Sequence, residues 1–176
     1  MTDALTITVT GTPAPQGSKR GFVNPKTKRV IITEDSAKTK PWRQDVKVAA
    51  LAAVADRPPF EGPLEVTIAF ALPRPGYHFG TGRNAGVLKP NAPMYVEKKP
   101  DIDKLTRSTL DALTEARVFK DDAQVAALNL VKGYATDPQK PGAVITVMPL
   151  LEVAATAAER VEQVLGSDGT EQGALL

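Results

Sequence analysis

Asp101-Ile102-Asp103 stands directly behind Pro100, and Asp121-Asp122 follows later in the chain. Together they set four carboxylates among Lys98, Lys99, Lys104 and Lys120. Acids gathered in this number repel one another unless something neutralises them. A hard divalent cation does so through oxygen ligands, and the lysines then suit a polyanion that shares the cation. The chemistry these residue types point to is metal-dependent work on nucleic-acid phosphate. The chain has no cysteine and one histidine, His78, which excludes thiolate and multi-histidine zinc sites. An ion held here is held by oxygen, so magnesium, manganese or calcium is expected.

The elements that must position these acids can be read from periodicity. Residues 102 to 116 have the helical repeat, with Ile102, Leu105, Thr109, Leu110 and Leu113 on the side expected to pack. Asp103, Arg107 and Asp111 are spaced i, i+4, i+8 and form a stripe on another side. Pro100 limits the helix backward, so Asp101 and Asp103 project from a first turn whose free N–H groups favour negative charge. A plainer reading of the same residues stays open, in which Asp101 is an N-cap and Asp103 pairs with Arg107. It leaves Asp121 and Asp122 unexplained, since they fall in a short connection after the helix.

Charge is unevenly spread. Between Gln16 and Lys47 nine lysines and arginines stand against three acids, whereas from Leu150 to Leu176 five acids stand against Arg160 alone. The basic segment suits a polyanion or is simply a solvated surface. Aromatics make up 5% of the chain, which argues against an extended base-stacking platform. No apolar run approaches a membrane span and the first residues do not read as a signal peptide, so a cytoplasmic protein without a membrane partner is expected.

The 176 residues suggest one domain over 1–150, followed by a C-terminal helix and an acidic, disordered tail over 151–176. Leu5 to Val9 alternates as a strand. Gly21–Val23 and Arg29–Ile32 suit a hairpin, and a helix is expected from Lys40-Pro41 to about Ala53, with Trp42, Val46, Ala49, Ala50 and Ala53 on one face. Leu64 to Phe70 is a strand. Residues 73–99, rich in proline, glycine and asparagine, read as a long structureless insertion. Val125–Tyr134 and Ala143–Leu150 are strands, and a short helix is expected over Ala154–Leu165. This order predicts an α+β fold, a mixed sheet covered by helices on one face.

The run Pro100-Asp101-Ile102-Asp103-Lys104-Leu105, then Arg107, Asp111-Ala112-Leu113-Thr114 and Asp121-Asp122-Ala123-Gln124-Val125 resembles the RusA-type Holliday junction resolvases. The likeness is tight from about Lys99 to Lys132, and the Pro15-Gln16-Gly17-Ser18-Lys19 loop is similar to phage-borne members. The resemblance implies a homodimeric, magnesium-dependent endonuclease that cuts four-way DNA junctions in recombination and repair. It places the essential, metal-binding carboxylates on Asp101, Asp103 and Asp122, with Mn2+ as an alternative to Mg2+. Arg107 falls where the family has a catalytic lysine. Arginine keeps the positive charge beside a phosphate but does not donate a proton near neutral pH. Lys104 stands where the family usually has asparagine. Asp111 and Asp121 are expected in supporting roles. DNA backbone is expected on Lys19, Arg20, Lys26, Lys28, Arg29, Lys98, Lys99 and Lys104.

Trp42 and Phe119 read as core residues. His78 reads as a solvated or hydrogen-bonded loop histidine, and Tyr77, Phe79 and Tyr95 as either a loop cluster or a DNA surface. Three other readings of the whole chain remain: a non-catalytic junction-binding protein, a nuclease for other branched DNA, and a structural module.

Overall fold

The computed structural model describes residues 4–17, 19–34, 37–137 and 140–150, with residues 19–22 and 31–34 described by their backbone. The expected helix over 154–165 and the acidic tail lie outside the described residues, as do the side chains of Lys19 and Arg20.

The elements are β1 (Leu5–Thr10), β2 (Lys19–Val23), β3 (Val30–Glu34), α1 (Thr39–Val54), β4 (Leu64–Leu72), α2 (Ile102–Glu115), β5 (Val125–Tyr134) and β6 (Gly142–Pro149). Strands β2 and β3 form a separate antiparallel hairpin. The main sheet runs β1-β6-β4-β5. β6 is antiparallel to both β1 and β4, and β4 is parallel to β5. The sheet is therefore mixed, as expected. Parallel neighbours need a crossover between them, and α2 with the long segment before it supplies that crossover.

Alternation decides the buried face. Leu5, Ile7 and Val9 of β1, and Leu64, Val66, Ile68, Phe70 and Leu72 of β4, point inward, and Ala143, Ile145 and Val147 of β6 join them. The helices cover that face and pack on each other, α1 against β1 and α2 against β5. From α1 come Trp42, Val46 and Ala50, fully buried, with Ala49 and Ala53 packed beside them. Pro41 lies in the first turn of α1, where its missing N–H costs no helical bond.

The buried face of α2 differs from the one its leucines suggest. Leu105, Thr106, Ser108, Thr109, Ala112 and Leu113 are buried, while Ile102 and Leu110 are only partly so. The two buried threonines are tolerated there because they are hydrogen-bonded, whereas the buried Ser108 Oγ has no hydrogen-bond partner among the described residues. Thr106 and Thr109 donate to the carbonyls of Ile102 and Leu105 at 2.8 and 2.9 Å, and the Trp42 indole Nε1 donates to Thr109 Oγ1 at 3.2 Å. That indole bond also fixes α1 against α2.

The segment 73–99 is not structureless. It holds 3-10 turns at Gly76–His78 and Gly82–Asn84 and bridges pairing Phe79 with Leu88 and Gly80 with Ala85. A further bridge joins Tyr95 to Gly133 of β5. These contacts are local turns and single bridges, which leave no periodic pattern in a sequence. Arg74 ties the segment down, donating through Nε to Ala135 O at 3.3 Å and through NH1 to Pro93 O at 2.9 Å.

Candidate active site

Asp101 occupies the N-cap position of α2 in an extended conformation, yet its side chain makes no capping hydrogen bond. Its Oδ2 lies 3.3 Å from Lys104 Nζ, one turn on. The approach to the helix is held by Lys132 of β5, whose Nζ donates to the carbonyls of Lys98 at 2.9 Å and Pro100 at 2.8 Å. Asp103 projects from the first turn and Arg107 from the next, both exposed. Among the described residues neither side chain has a hydrogen-bond or ion-pair partner, so the Asp103–Arg107 pair of the plainer reading does not form.

The two neighbouring aspartates differ in role. Asp121 Oδ1 accepts from the Ala123 N–H at 2.9 Å, and the Gln124 carboxamide oxygen accepts from the N–H groups of Lys120 and Asp121 at 2.9 and 3.1 Å. This is a capping box on the turn Asp122–Gln124. Gln124 Nε2 then donates to the carbonyls of Phe60 and Gly62, and Phe119 beside the turn is fully buried, so the turn is anchored to the core. Asp122 is exposed and among the described residues its side chain is unbonded.

Between these two groups of acids lies Asp111. Gln16 Nε2 donates to Asp111 Oδ2 at 3.1 Å, and Arg43 NH1 stands 3.5 Å from the same oxygen. Arg43 also pairs closely with Glu115, which Lys47 approaches at 3.8 Å. Burial pushes the Asp111 carboxyl above the usual carboxylate range. The charges of Asp122 and Glu115 add to the rise, against the opposing pull of Arg43 and Arg107. Asp122 and Arg107 are thus both electrostatic neighbours of Asp111. Asp101 and Asp103 sit toward the other end of α2. Asp103 precedes Asp111 by eight residues, or about 12 Å of helix rise.

An all-oxygen set of exposed aspartates suits a hard divalent cation in donor chemistry. In position the single chain is more open: among the described residues no three Asp, Glu, His or Cys side chains gather as a metal-binding group.

The family model described as Endodeoxyribonuclease RusA matches residues 11–148. The chain belongs to the RusA endodeoxyribonuclease family. It is also similar to the protein named Uncharacterized protein YqaN of Bacillus subtilis (strain 168), with 31% identity over 145 residues that cover 78% of this chain and 92% of that relative. Membership of the RusA family implies an endonuclease of Holliday junctions. The α+β arrangement with a four-stranded mixed sheet and two helices is consistent with the RusA fold.

The match takes in every residue singled out above as a ligand or DNA contact. Lys26, Lys28 and Arg29 are exposed at the turn of the β2–β3 hairpin, and Lys98 and Lys99 are exposed just before α2. Lys104 is engaged with Asp101. Sequence reasoning did not reach Arg43, Glu115 or Lys132, because each acts through a contact between elements distant in the chain. Gln16 carried a local signal in its Pro/Gly loop. Only the fold shows that its backbone N–H donates to Lys104 O at 2.9 Å and that its amide meets Asp111. No helix among the described residues is long and apolar enough to cross a membrane.

Proposed function

We propose that this protein resolves four-way DNA junctions by magnesium-dependent hydrolysis of phosphodiesters, in recombination and repair within the cytoplasm, and that it acts as a twofold homodimer. The observation that carries the reading is the pair Asp101 and Asp103. Two exposed carboxylates sit at a helix start, neither of them spent on a cap or on Arg107, within a chain of the RusA family. Asp101, Asp103 and Asp122 would hold Mg2+, with Mn2+ as an alternative, and an approach of Asp122 to the pair is part of the proposal. When bound, such an ion supplies an activated water and screens the phosphate charge.

The chain's own residues do the rest. Arg107 holds a fixed positive charge beside the scissile phosphate and opposes the negative charge that builds there. Gln16, Arg43 and the buried face of α2 keep the acid-bearing helix in place. Lys26, Lys28, Arg29, Lys98 and Lys99 grip flanking backbone, together with Lys19 and Arg20, while Lys104 shares its charge between Asp101 and DNA. A twofold dimer would present two such sites to symmetric strands, so that paired nicks resolve the junction.

The test is nicking of an end-labelled four-way junction by purified protein, with and without magnesium. Cleavage that needs the metal and prefers the junction over linear duplex supports the reading. Metal-dependent cleavage of flaps or forks in preference would replace the substrate, and binding without cleavage would make the protein a junction-binding module.

A further inference from the structure

The chain contains three tyrosines, and all three line one cavity. It encloses about 300 Å3, and Tyr77, His78, Lys89, Tyr95, Lys98 and Tyr134 contribute to its wall. Tyr77 and Tyr95 are 64% and 63% exposed, so their rings are not consumed by packing. His78 is 5% exposed and meets the rings of Tyr77 and Tyr134 edge-on at 4.6 and 4.8 Å. Its Nδ1 lies 3.4 Å from Arg74 NH1. A guanidinium only donates, so Nδ1 is the acceptor and Nε2 carries the proton of the neutral ring. Lys89 Nζ donates to Tyr77 O at 2.8 Å, which holds one cation at the wall. The Arg74 guanidinium stands 5.1 Å over the Tyr134 ring. Among the described lining residues Glu97 is the one carboxylate, against Lys89 and Lys98.

The cavity adjoins a second hollow that approaches the start of α2. This hollow of about 460 Å3 shares Tyr77, Lys98 and Tyr134 with it and extends past Lys38 and Lys99 to Pro100, the residue before Asp101. Lys132 binds the carbonyls on both sides of Lys99. The braced stretch from Lys98 to Pro100 thus links the wall of the tyrosine cavity to the residue before Asp101, and Lys38, Lys98 and Lys99 line the hollow between them.

Aromatic faces beside lysines match the chemistry of an unpaired nucleotide, whose base stacks and whose phosphate is anionic. A cavity of this size takes one such unit, and duplex DNA does not present a free base face. We propose that the tyrosine cavity captures one unpaired nucleotide at the branch of the DNA substrate. Its base lies on Tyr95 and Tyr77, its phosphate meets Lys89 and Lys98, and the strand runs along the lysine-lined hollow toward the acids. The assignment rests on the nuclease reading and adds a base-holding site to it.

The experiment measures binding in EDTA, so that no strand is cut. It compares a four-way junction carrying 2-aminopurine as an unpaired base at the branch with an uninterrupted duplex. The wild-type protein is expected to change the 2-aminopurine fluorescence. Tyr95→Ala and Tyr77→Ala are each expected to abolish that change and to weaken junction binding about tenfold. Duplex binding should stay as it was, and Tyr95→Phe, which keeps the ring face, should behave as wild type. If the protein binds no branched DNA, the nuclease reading falls and the proposal with it. If it binds and nicks junctions while both alanine variants keep the fluorescence change, the proposal alone is overturned. An equal loss of duplex and junction binding, or saturation by free nucleotide with no effect on DNA binding, overturns it too.

Discussion

Gln16 Nε2 donates to Asp111 Oδ2 at 3.1 Å, and this one bond ties the loop after β1 to the middle of the acid-bearing helix. The Gln16 backbone N–H reaches Lys104 O on the same helix at 2.9 Å, so a single residue clamps α2 at two levels. The Gln16 Oε1 atom is buried and has no hydrogen-bond partner among the described residues. A buried amide oxygen left unbonded carries a desolvation cost, which Gln16→Leu would remove along with the Asp111 bond. Gln16→Leu is expected to leave thermal stability little changed and to lower the junction-cleavage rate about tenfold at unchanged binding, as loss of a positioning contact does. Single-turnover kinetics and a binding titration separate the two effects.

Asp103 is exposed and unbonded among the described residues, so Asp103→Asn removes charge without removing a structural contact. The variant should fold and bind a junction as wild type does while cleaving none. Manganese or magnesium should raise the melting temperature of the wild-type protein, since a ligand at a hundredfold excess over its Kd stabilises by about 2.7 kcal/mol. The rise should be lost in Asp103→Asn. A fully active variant would refute the ligand assignment.

Arg107 is exposed and presents a guanidinium charge one turn beyond Asp103. Arg107→Ala should slow cleavage about a hundredfold, the scale of removing one group that stabilises transition-state charge. Arg107→Lys should restore much of the rate. If the lysine variant gains an alkaline limb in its pH–rate profile that the wild type lacks, the residue at this position faces the reacting phosphate. Identical rates in all three proteins would remove Arg107 from the site.

Asp121 and Asp122 are adjacent in sequence and separable by experiment. Asp121 caps the turn through the Ala123 N–H, so Asp121→Ala should cost about 1 kcal/mol of stability in a denaturant titration. Some cleavage should persist. Asp122→Asn should cost little stability and abolish cleavage. The reverse pattern would exchange the two roles.

The His78 imidazole is held below its ordinary value of 6.5, first by burial and then by the charges of Arg74 and Lys89. A group whose folded pKa is depressed binds its proton more readily when unfolded. Its contribution to stability is therefore whole above pH 6.5 and declines as the pH falls through the lowered folded value. Melting temperature should drop on acidification over that window. His78→Gln, which cannot titrate, should flatten the drop while lowering the plateau. A wild-type profile with no slope below pH 6.5 would contradict this.

Local pattern made much of the molecule legible. The alternation of Leu64–Phe70 marked β4, the proline at position 41 marked the first turn of α1, and the helical repeat from Ile102 marked α2, all within a residue or two of their observed ends. Those signals are local because hydrogen bonding within a helix, and alternation along a strand, repeat over a few residues. The segment 73–99 defeated the same reasoning. Its order comes from Arg74 reaching Pro93 and Ala135 and from Tyr95 meeting Gly133, contacts with no period to read.

By itself the sequence determined the chemistry on offer: carboxylates without thiolates, a fixed arginine charge, lysines around the acids, and a spacing that resembles one nuclease family. Tertiary structure decided which of those groups are free to act. It capped a turn with Asp121 and left Asp122 unbonded among the described residues, turned Asp101 toward the Lys104 side chain rather than the backbone N–H groups of its own helix, and brought Gln16, Arg43 and Asp122 within reach of Asp111. It also collected three tyrosines scattered between positions 77 and 134 around one cavity. Side-chain type is a property of the chain, but distance and desolvation between residues far apart in sequence exist only once the sheet and its crossover helix have packed.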